Sequence, residues 1–308
     1  MVTEAIVTGL RIRLAAELAA PSDRYRPFVV DSANVGWIDD MRAALLAEFP
    51  RVFVVDAQRI TFTTALKDAH ARTSAMDEVA RALATHGCLT AWRNERYAVA
   101  PRFGAPACFD IERAAARYFG IHTFAAHING LVHAPDGGRS DVRTEVLMWL
   151  ARRSEHKAID PGLLDNFVGG GIASGASVQS TVTKEAGEEA GLSPALAGAA
   201  QLAGTVHICR ERRDGLQRET IFVHDLAVPQ SFVPSPTDGE VSEFRLETLM
   251  RAAQCAAASE GPDVVTADAS LVIVDCLMRR GAFPALAPDL SALGALRYPA
   301  MAPSRVAS

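Results

Sequence analysis

Glu185, Glu188 and Glu189 stand at i, i+3 and i+4 within Gly169–Leu192, GGGIASGASVQSTVTKEAGEEAGL. On a helix this spacing projects all of them from one face. Between Ser177 and Ala190 there is no proline, and Val178, Val182 and Ala186 recur at i, i+4, so a helix is expected. Ser177 suits the N-cap, and Gly191 suits the left-handed position after the last turn. The charges are badly placed for stability. Like charges at this spacing repel, and they sit where the helix dipole is already negative. Lys184 is the nearby counter-charge, and Gly187 weakens the helix by about 1 kcal/mol relative to Ala. Local rules broken together mark a functional site. A divalent cation reverses the balance, because hard oxygen ligands suit Mg²⁺ or Mn²⁺. An acidic triplet alone also reads as a solvated helix end. Its spacing from the glycine-rich run decides between the two.

That spacing resembles the Nudix box, G-x5-E-x7-R-E-U-x-E-E-x-G-U with U a bulky apolar residue. Gly170 takes the first glycine, Glu185 the glutamate of the R-E pair, and Glu188 and Glu189 the E-E pair. Gly191 and Leu192 close the motif. The chain departs from it at Ala176 for the first glutamate, at Lys184 for the arginine, and at Ala186 for U. The metal-bearing carboxylates are kept, whereas the Glu–Arg pair that props up the loop in most members is lost. The Nudix proteins related to thiamine pyrophosphokinase tolerate these departures. Other stretches resemble that group: His127–Gly130, Trp149–Ser154 (WLARRS), Pro161–Asp165, Pro229–Pro234 and Asp238–Val241. The resemblance implies a Nudix α/β/α sandwich, in an α/β (α+β) chain, preceded by a smaller α/β N-terminal domain of unknown role. The expected divisions are 1–118, 119–258 for the Nudix domain, and 259–308 for a C-terminal helix and tail.

Charge dictates the chemistry. Metal ions bridging a diphosphate neutralise its oxygens, orient the attacking water and lower its pKa, leaving placement to the protein. Glu185 and Glu189 are the expected direct ligands, with Glu188 a third ligand or bound through water. The Gly170 carbonyl can complete the shell, since a residue without Cβ admits close approach. Glu189, Glu188 or Glu240 could act as general base, and Glu240 follows a turn-like Thr237-Asp238-Gly239. Lys184 could pair with Glu188 at i, i+4, as a point charge rather than a fork. For substrate, His127 and Asn129 share a strand face. Arg152 and Arg153 alternate, so at most one faces the pocket. Structural roles compete throughout: a satisfied core histidine for His127, core packing for Trp149, solvated surface for Lys184 and Glu240.

The chain of 308 residues has room for about two ordinary domains. With 49% hydrophobic and 22% charged residues it is globular in composition. A net charge of −5 argues against a general nucleic-acid binder. Its 5 cysteines lack C-x-x-C spacing, the pattern of a reduced cytoplasmic protein. Glu4, Arg11, Arg13 and Glu17 interrupt any signal-peptide core, and no apolar run is long enough to span a membrane.

Further elements follow from patterning. In the N-terminal part, strands are expected at Phe28–Val30 and Val52–Val55, the latter buried. Helices are expected at Ile38–Phe49, Asp77–His86 and Ile111–Tyr118. A hairpin around Asn94 would join Cys88–Trp92 to Arg96–Ala100. No constellation there carries nameable chemistry; lid, dimerisation and structural roles are open. Beyond it, strands are expected at His122–Val132, Val146–Ala151, Gly204–Arg210, Thr220–Leu226 and Ser242–Leu246. A turn is expected at Pro135–Gly138, helices at Glu247–Ala258 and Ala267–Arg280, and a Pro-rich tail at the end.

Function divides three ways. A metal-dependent Nudix hydrolase of an organic diphosphate is the leading reading. The subfamily resemblance implies thiamine-type diphosphates, oxidised or damaged, cut to monophosphate and phosphate; ADP-ribose or an oxidised nucleotide is the enzyme alternative. A catalytically silent ligand-sensing module is motivated by Ala176 and Lys184. An interaction scaffold, with homodimerisation open, is the third.

Overall fold

A computed structural model describes residues 2–17, 22–133 and 145–281. The expected Pro135–Gly138 turn and Pro-rich tail lie outside them. The chain runs α1 (Val2–Glu17), β1 (Tyr25–Val30), β2 (Ala33–Asp39), α2 (Asp40–Leu46), β3 (Phe53–Val55), β4 (Ile60–Phe62), α3 (Ala69–Thr85), β5 (Arg96–Val99) and β6 (Phe109–Glu112). It continues as β7 (His122–His133), β8 (Val146–Arg153), β9 (Leu164–Asp165), β10 (Val168–Gly171), α4 (Val178–Ala190), α5 (Pro194–Ala197), β11 (Gln201–Arg212), β12 (Gly215–Ala227), β13 (Val241–Thr248), α6 (Leu249–Ala257) and α7 (Ala267–Arg279).

The N-terminal module is a four-stranded sheet ordered β2-β1-β4-β3, with β5 and β6 forming a separate antiparallel pair. Asp31 and Ser32 take positive φ of 48° and 69°, the twist that a two-residue hairpin turn between β1 and β2 requires. Phe28 stands at the centre of its core, among Phe53, Phe62, Phe109 and Phe119. Several expectations fail here. Ile38 lies in β2, and the helix waits for Asp39, whose side chain caps the amide of Arg42. β3 is an edge strand with Val54 49% exposed, because β-branched composition does not distinguish an edge from a centre. β5 pairs with β6 across nine intervening residues, so Cys88–Trp92 is no strand and there is no hairpin at Asn94. The expected Ile111–Tyr118 helix is the end of β6 and a single 3-10 turn, Arg113–Ala115.

The larger sheet is seven-stranded. Its path is β11-β12-β7-β8-β13, with β10 on β7 and β9 on β8. One face packs α4 through Val182 and Ala186 against Ala126, Ile128 and Phe167. Burying one such valine contributes about 1.5–3 kcal/mol. The other face packs α6 and α7 with Leu271, Val272 and Ile273 on Val206, Ile208 and Ile221. α1 joins this second core through Ile6, Val7, Leu10 and Leu14. Arg13 fixes it there, donating to the Ala256 carbonyl at 2.6 Å and to Ser270 Oγ at 2.9 Å. The packing therefore crosses the expected divisions at 118 and 258: the first and last helices complete one sheet's core. None of the described helices is long and apolar enough to cross a membrane.

Candidate active site

The helix α4 is fixed at both ends. Ser177 Oγ accepts from the Ser180 amide at 3.0 Å, and Ser180 Oγ accepts from the Ser177 amide at 2.8 Å. At the far end Gly191 has φ 68°, and the amides of Leu192 and Gly191 bond back to Ala186 and Gly187. A Cβ on Gly191 would lie 2.6 Å from the Ser235 carbonyl, so contact as well as conformation demands glycine. The last carbonyls of a helix have no partner within it. Here Ala190 O accepts from the Ser235 amide at 3.1 Å, and Glu188 O accepts from the Thr237 amide at 2.8 Å. The end of α4 thus holds the loop 235–240.

Asp238 Oδ1 accepts from the Glu240 amide at 2.8 Å, and Gly239 turns at φ 74°. The result is a cluster: carboxylate oxygens of Glu189, Asp238 and Glu240 all lie within 4.8 Å of one another. Glu189 is 7% exposed and accepts from the Gly169 amide at 2.9 Å. Burial raises its pKa, and Asp165 and Glu185 push it further the same way. Burial raises Asp238 as well. Lys157 donates to Glu240 and is itself held below the usual lysine range by burial. Three crowded acids, two with raised pKa, form a hard-oxygen donor set suited to Mg²⁺ or Mn²⁺.

Glu185 lies against Gly170, where a Cβ would stand 2.3 Å from its Cδ. This absent side chain lets Glu185 reach a cleft of about 220 Å³, which Gly169, Gly170, Gly171, His127, Arg153, Lys157 and Glu240 also line. The opposite wall belongs to the N-terminal module: Thr90, Ala91, Arg93, Tyr97, Arg113 and Arg117. The glycine run is held from that side. Ser174 donates from its amide to the Arg96 carbonyl at 2.7 Å and from Oγ to Asp110 at 2.8 Å. Tyr97 packs over Gly171. These contacts stand where the motif's Glu–Arg prop is missing.

The expected site residues separate. Glu185, Glu240, Gly170, His127 and Arg153 line the cleft, and Glu189 adjoins Glu240 beside it. Glu188 does neither. Its side chain is 44% exposed and bonds Lys184 at 2.7 Å, whereas among the described residues Glu189, Asp238 and Glu240 are the acids crowded closely enough to share a cation. Lys184 also bonds Glu185 at 2.9 Å, which supports α4 from its surface. His127 is both satisfied and accessible, with Nδ1 2.8 Å from Asn166 Oδ1. Asn129 shares its face but is buried at 1%, donating to Asp225 where α7 brings Arg279 down. It does not reach the cleft. Arg153 bonds Asp165 at 2.7 Å inside the cleft, whereas Arg152 points away to Glu243 and the carbonyls of Gly162 and Pro262. Trp149 packs near Phe167 and Phe244 as core.

Sequence reasoning missed Asp238, Lys157 and the whole opposing wall. The Asp238-Gly239-Glu240 turn was a signal for the first; a lone loop lysine and scattered arginines gave none.

Comparison with known proteins gives matching assignments. The family model described as the NUDIX domain matches residues 136–268, and a domain of unknown function (DUF4743) matches residues 11–123. Nudix hydrolase 24, chloroplastic, from Arabidopsis thaliana is 38% identical over 257 residues, covering 83% of this chain and 67% of that protein. Nudix hydrolase 20, chloroplastic, from the same plant is 37% identical over 265 residues, covering 83% and 68%. Among solved structures, an Ap4A hydrolase binary complex from C. elegans covers 52% of this chain and 99% of its own, at 11% identity and a TM-score of 0.37.

Proposed function

Since this chain belongs to the Nudix hydrolases and is a pyrophosphohydrolase, we propose that it cleaves a small organic diphosphate with Mg²⁺ or Mn²⁺ held by Glu189, Asp238 and Glu240. The observation that carries this reading is the crowding of the Glu189, Asp238 and Glu240 carboxylates, of which Glu240 lines a cleft shared with arginines and a lysine. When bound there, the cation supplies charge neutralisation at the diphosphate oxygens and a more acidic water.

This chain's residues do the rest. Lys157 and Arg153 place positive charge along the cleft, where a diphosphate carries its negative charge. Glu185, outside the ligand cluster yet close enough to raise Glu189, is the box carboxylate left to accept the proton of the attacking water. Lys184 donates to that carboxylate at 2.9 Å from the exposed surface of α4.

For the substrate we propose thiamine-type diphosphates, oxidised or damaged, released as monophosphate and phosphate. The flanking stretches around His127, Trp149, Pro161, Pro229 and Asp238 support it, since they resemble the thiamine pyrophosphokinase-related group. The test is phosphate release with Mg²⁺ or Mn²⁺, with and without chelator, on thiamine diphosphate, its oxidised analogue, ADP-ribose and 8-oxo-dGTP. Chelator-sensitive turnover strongest on the thiamine pair is expected. Turnover confined to nucleotides would overturn the substrate, and turnover insensitive to chelator would overturn the metal chemistry.

A further inference from the structure

We propose that Arg93, carried by the N-terminal module, is a substrate-binding residue of this site, gripping the diphosphate across the cleft from Glu240. The inference rests on the hydrolase reading and extends it to a part of the chain with no assigned role.

The cleft's cations differ in how far they are already engaged. Arg113 bonds Glu95 at 2.6 Å, and Arg153 bonds Asp165 at 2.7 Å as well as the carbonyls of Ile159 and Asp160. Arg93 stands apart. Among the described residues its guanidinium pairs only with Glu240, at 3.5 Å, and its side chain remains 37% exposed. A planar fork with several donors, loosely held, sits beside the carboxylates proposed to hold the metal. A diphosphate bound there by its metal would bring phosphate oxygens toward that fork, which matches them in charge and geometry.

The backbone presents Arg93 rigidly. Ala91 and Asn94, on either side of it, take positive φ of 59° and 56°. Left-handed non-glycine residues persist where the surroundings over-determine them, and such residues cluster at functional sites. The surroundings here do so. Trp92 Nε1 donates to Asn94 Oδ1 at 2.8 Å, and Arg81 stacks on the Trp92 ring at 5.5 Å. The Arg93 amide donates to Glu112 Oε1 at 3.0 Å, from a glutamate only 3% exposed. The module is also bound to the glycine run through Ser174 and Asp110, so the distance across the cleft is set.

A latch between the two halves is the competing role, and the experiment separates them. In the full chain, Arg93→Gln and Arg93→Lys are compared with wild type in KM and kcat, in thermal melting, and in calorimetric binding of inorganic diphosphate with Mg²⁺. The expected result is KM and diphosphate Kd raised about 10- to 100-fold in Arg93→Gln. Arg93→Lys should recover only part, since a point charge cannot fork. Unchanged Kd and KM would overturn the proposal, as would a wild type that does not bind inorganic diphosphate. If Arg93→Gln also lowers the melting temperature, Arg93→Lys decides. Melting and Kd both fully restored would mean a latch alone, while melting restored with Kd still raised supports the grip. Diphosphate binding needs no turnover, so it reads out Arg93 even if the proposed hydrolysis fails. An active Arg93→Gln with unchanged KM and Kd would sink this inference and leave the hydrolase standing.

Discussion

The two walls of the cleft differ in what holds their charges. On the carboxylate wall Glu189 is buried, and Asp238 and Glu240 arrive on a loop stitched to the end of α4 by Ser235 and Thr237. On the module wall the arginines are long, partly exposed, and most are neutralised by partners of their own. Like charges have been forced together on one side, at the expense of stability, while opposite charges are paired on the other. That contrast separates a wall where a bound cation would relieve repulsion from one that offers contacts to a ligand.

Removing the buried acid should break the contrast most completely. Glu189→Gln is expected to lower turnover by about a thousandfold or more with the fold kept, measured by phosphate release beside a circular-dichroism spectrum. The same variant tests the stored repulsion. Burial raises Glu189 above the ordinary 4.5, so the folded state holds its proton more tightly than the unfolded chain does. Its contribution to stability is therefore full below the unfolded value and is lost as pH rises through the raised one. Metal-free wild type should melt at progressively lower temperature from about pH 5 to about pH 8, and Glu189→Gln should flatten that slope. Mg²⁺ should raise the wild-type melting temperature and leave the variant's nearly unchanged.

The next largest effect is expected at the gap between the walls. In Gly170→Ala the new Cβ meets only the flexible end of Glu185 and displaces it. Turnover should fall about 10- to 100-fold while stability changes by about 1 kcal/mol or less, as kinetics and a urea melt would show. Equal losses in both would instead make Glu185 a packing residue.

Ser174→Ala tests whether the module props the glycine run. It removes the bond to Asp110 and should cost about 1 kcal/mol, with kcat reduced severalfold. Full activity would mean that the run is rigid without the module. The smallest effect belongs to Lys184→Met on the outer surface of α4. Its pairs with Glu185 and Glu188 are solvent-screened, so stability should shift by no more than about 0.5 kcal/mol and kcat by about threefold or less. A larger loss of kcat would place Lys184 in the orientation of Glu185.

Local chemistry made part of this legible. Ser177, Gly191 and the i, i+4 apolar spacing specify α4 with no help from distant residues, because caps and periodicity act within a few residues. The alternation that put Arg152 and Arg153 on opposite faces of β8 is equally local. The failures share the opposite property. Val52–Val55 reads as a buried strand, but burial depends on which strands lie beside it. Asn129 shares a face with His127, yet α7, far along the chain, covers one and not the other.

What the sequence determined by itself, then, is the identity of the box helix, the glycine run ahead of it and the acidic face that the helix carries. These are encoded by residues within one or two turns of each other. Tertiary structure alone decided which acids meet: Glu188 faces outward, while Asp238 joins Glu189 and Glu240. It also decided that α1 and α7 close one core and that the N-terminal module forms half of the cleft. Those outcomes depend on contacts between residues far apart in the chain, selected by the free energy of burying both partners at once, which no local pattern records.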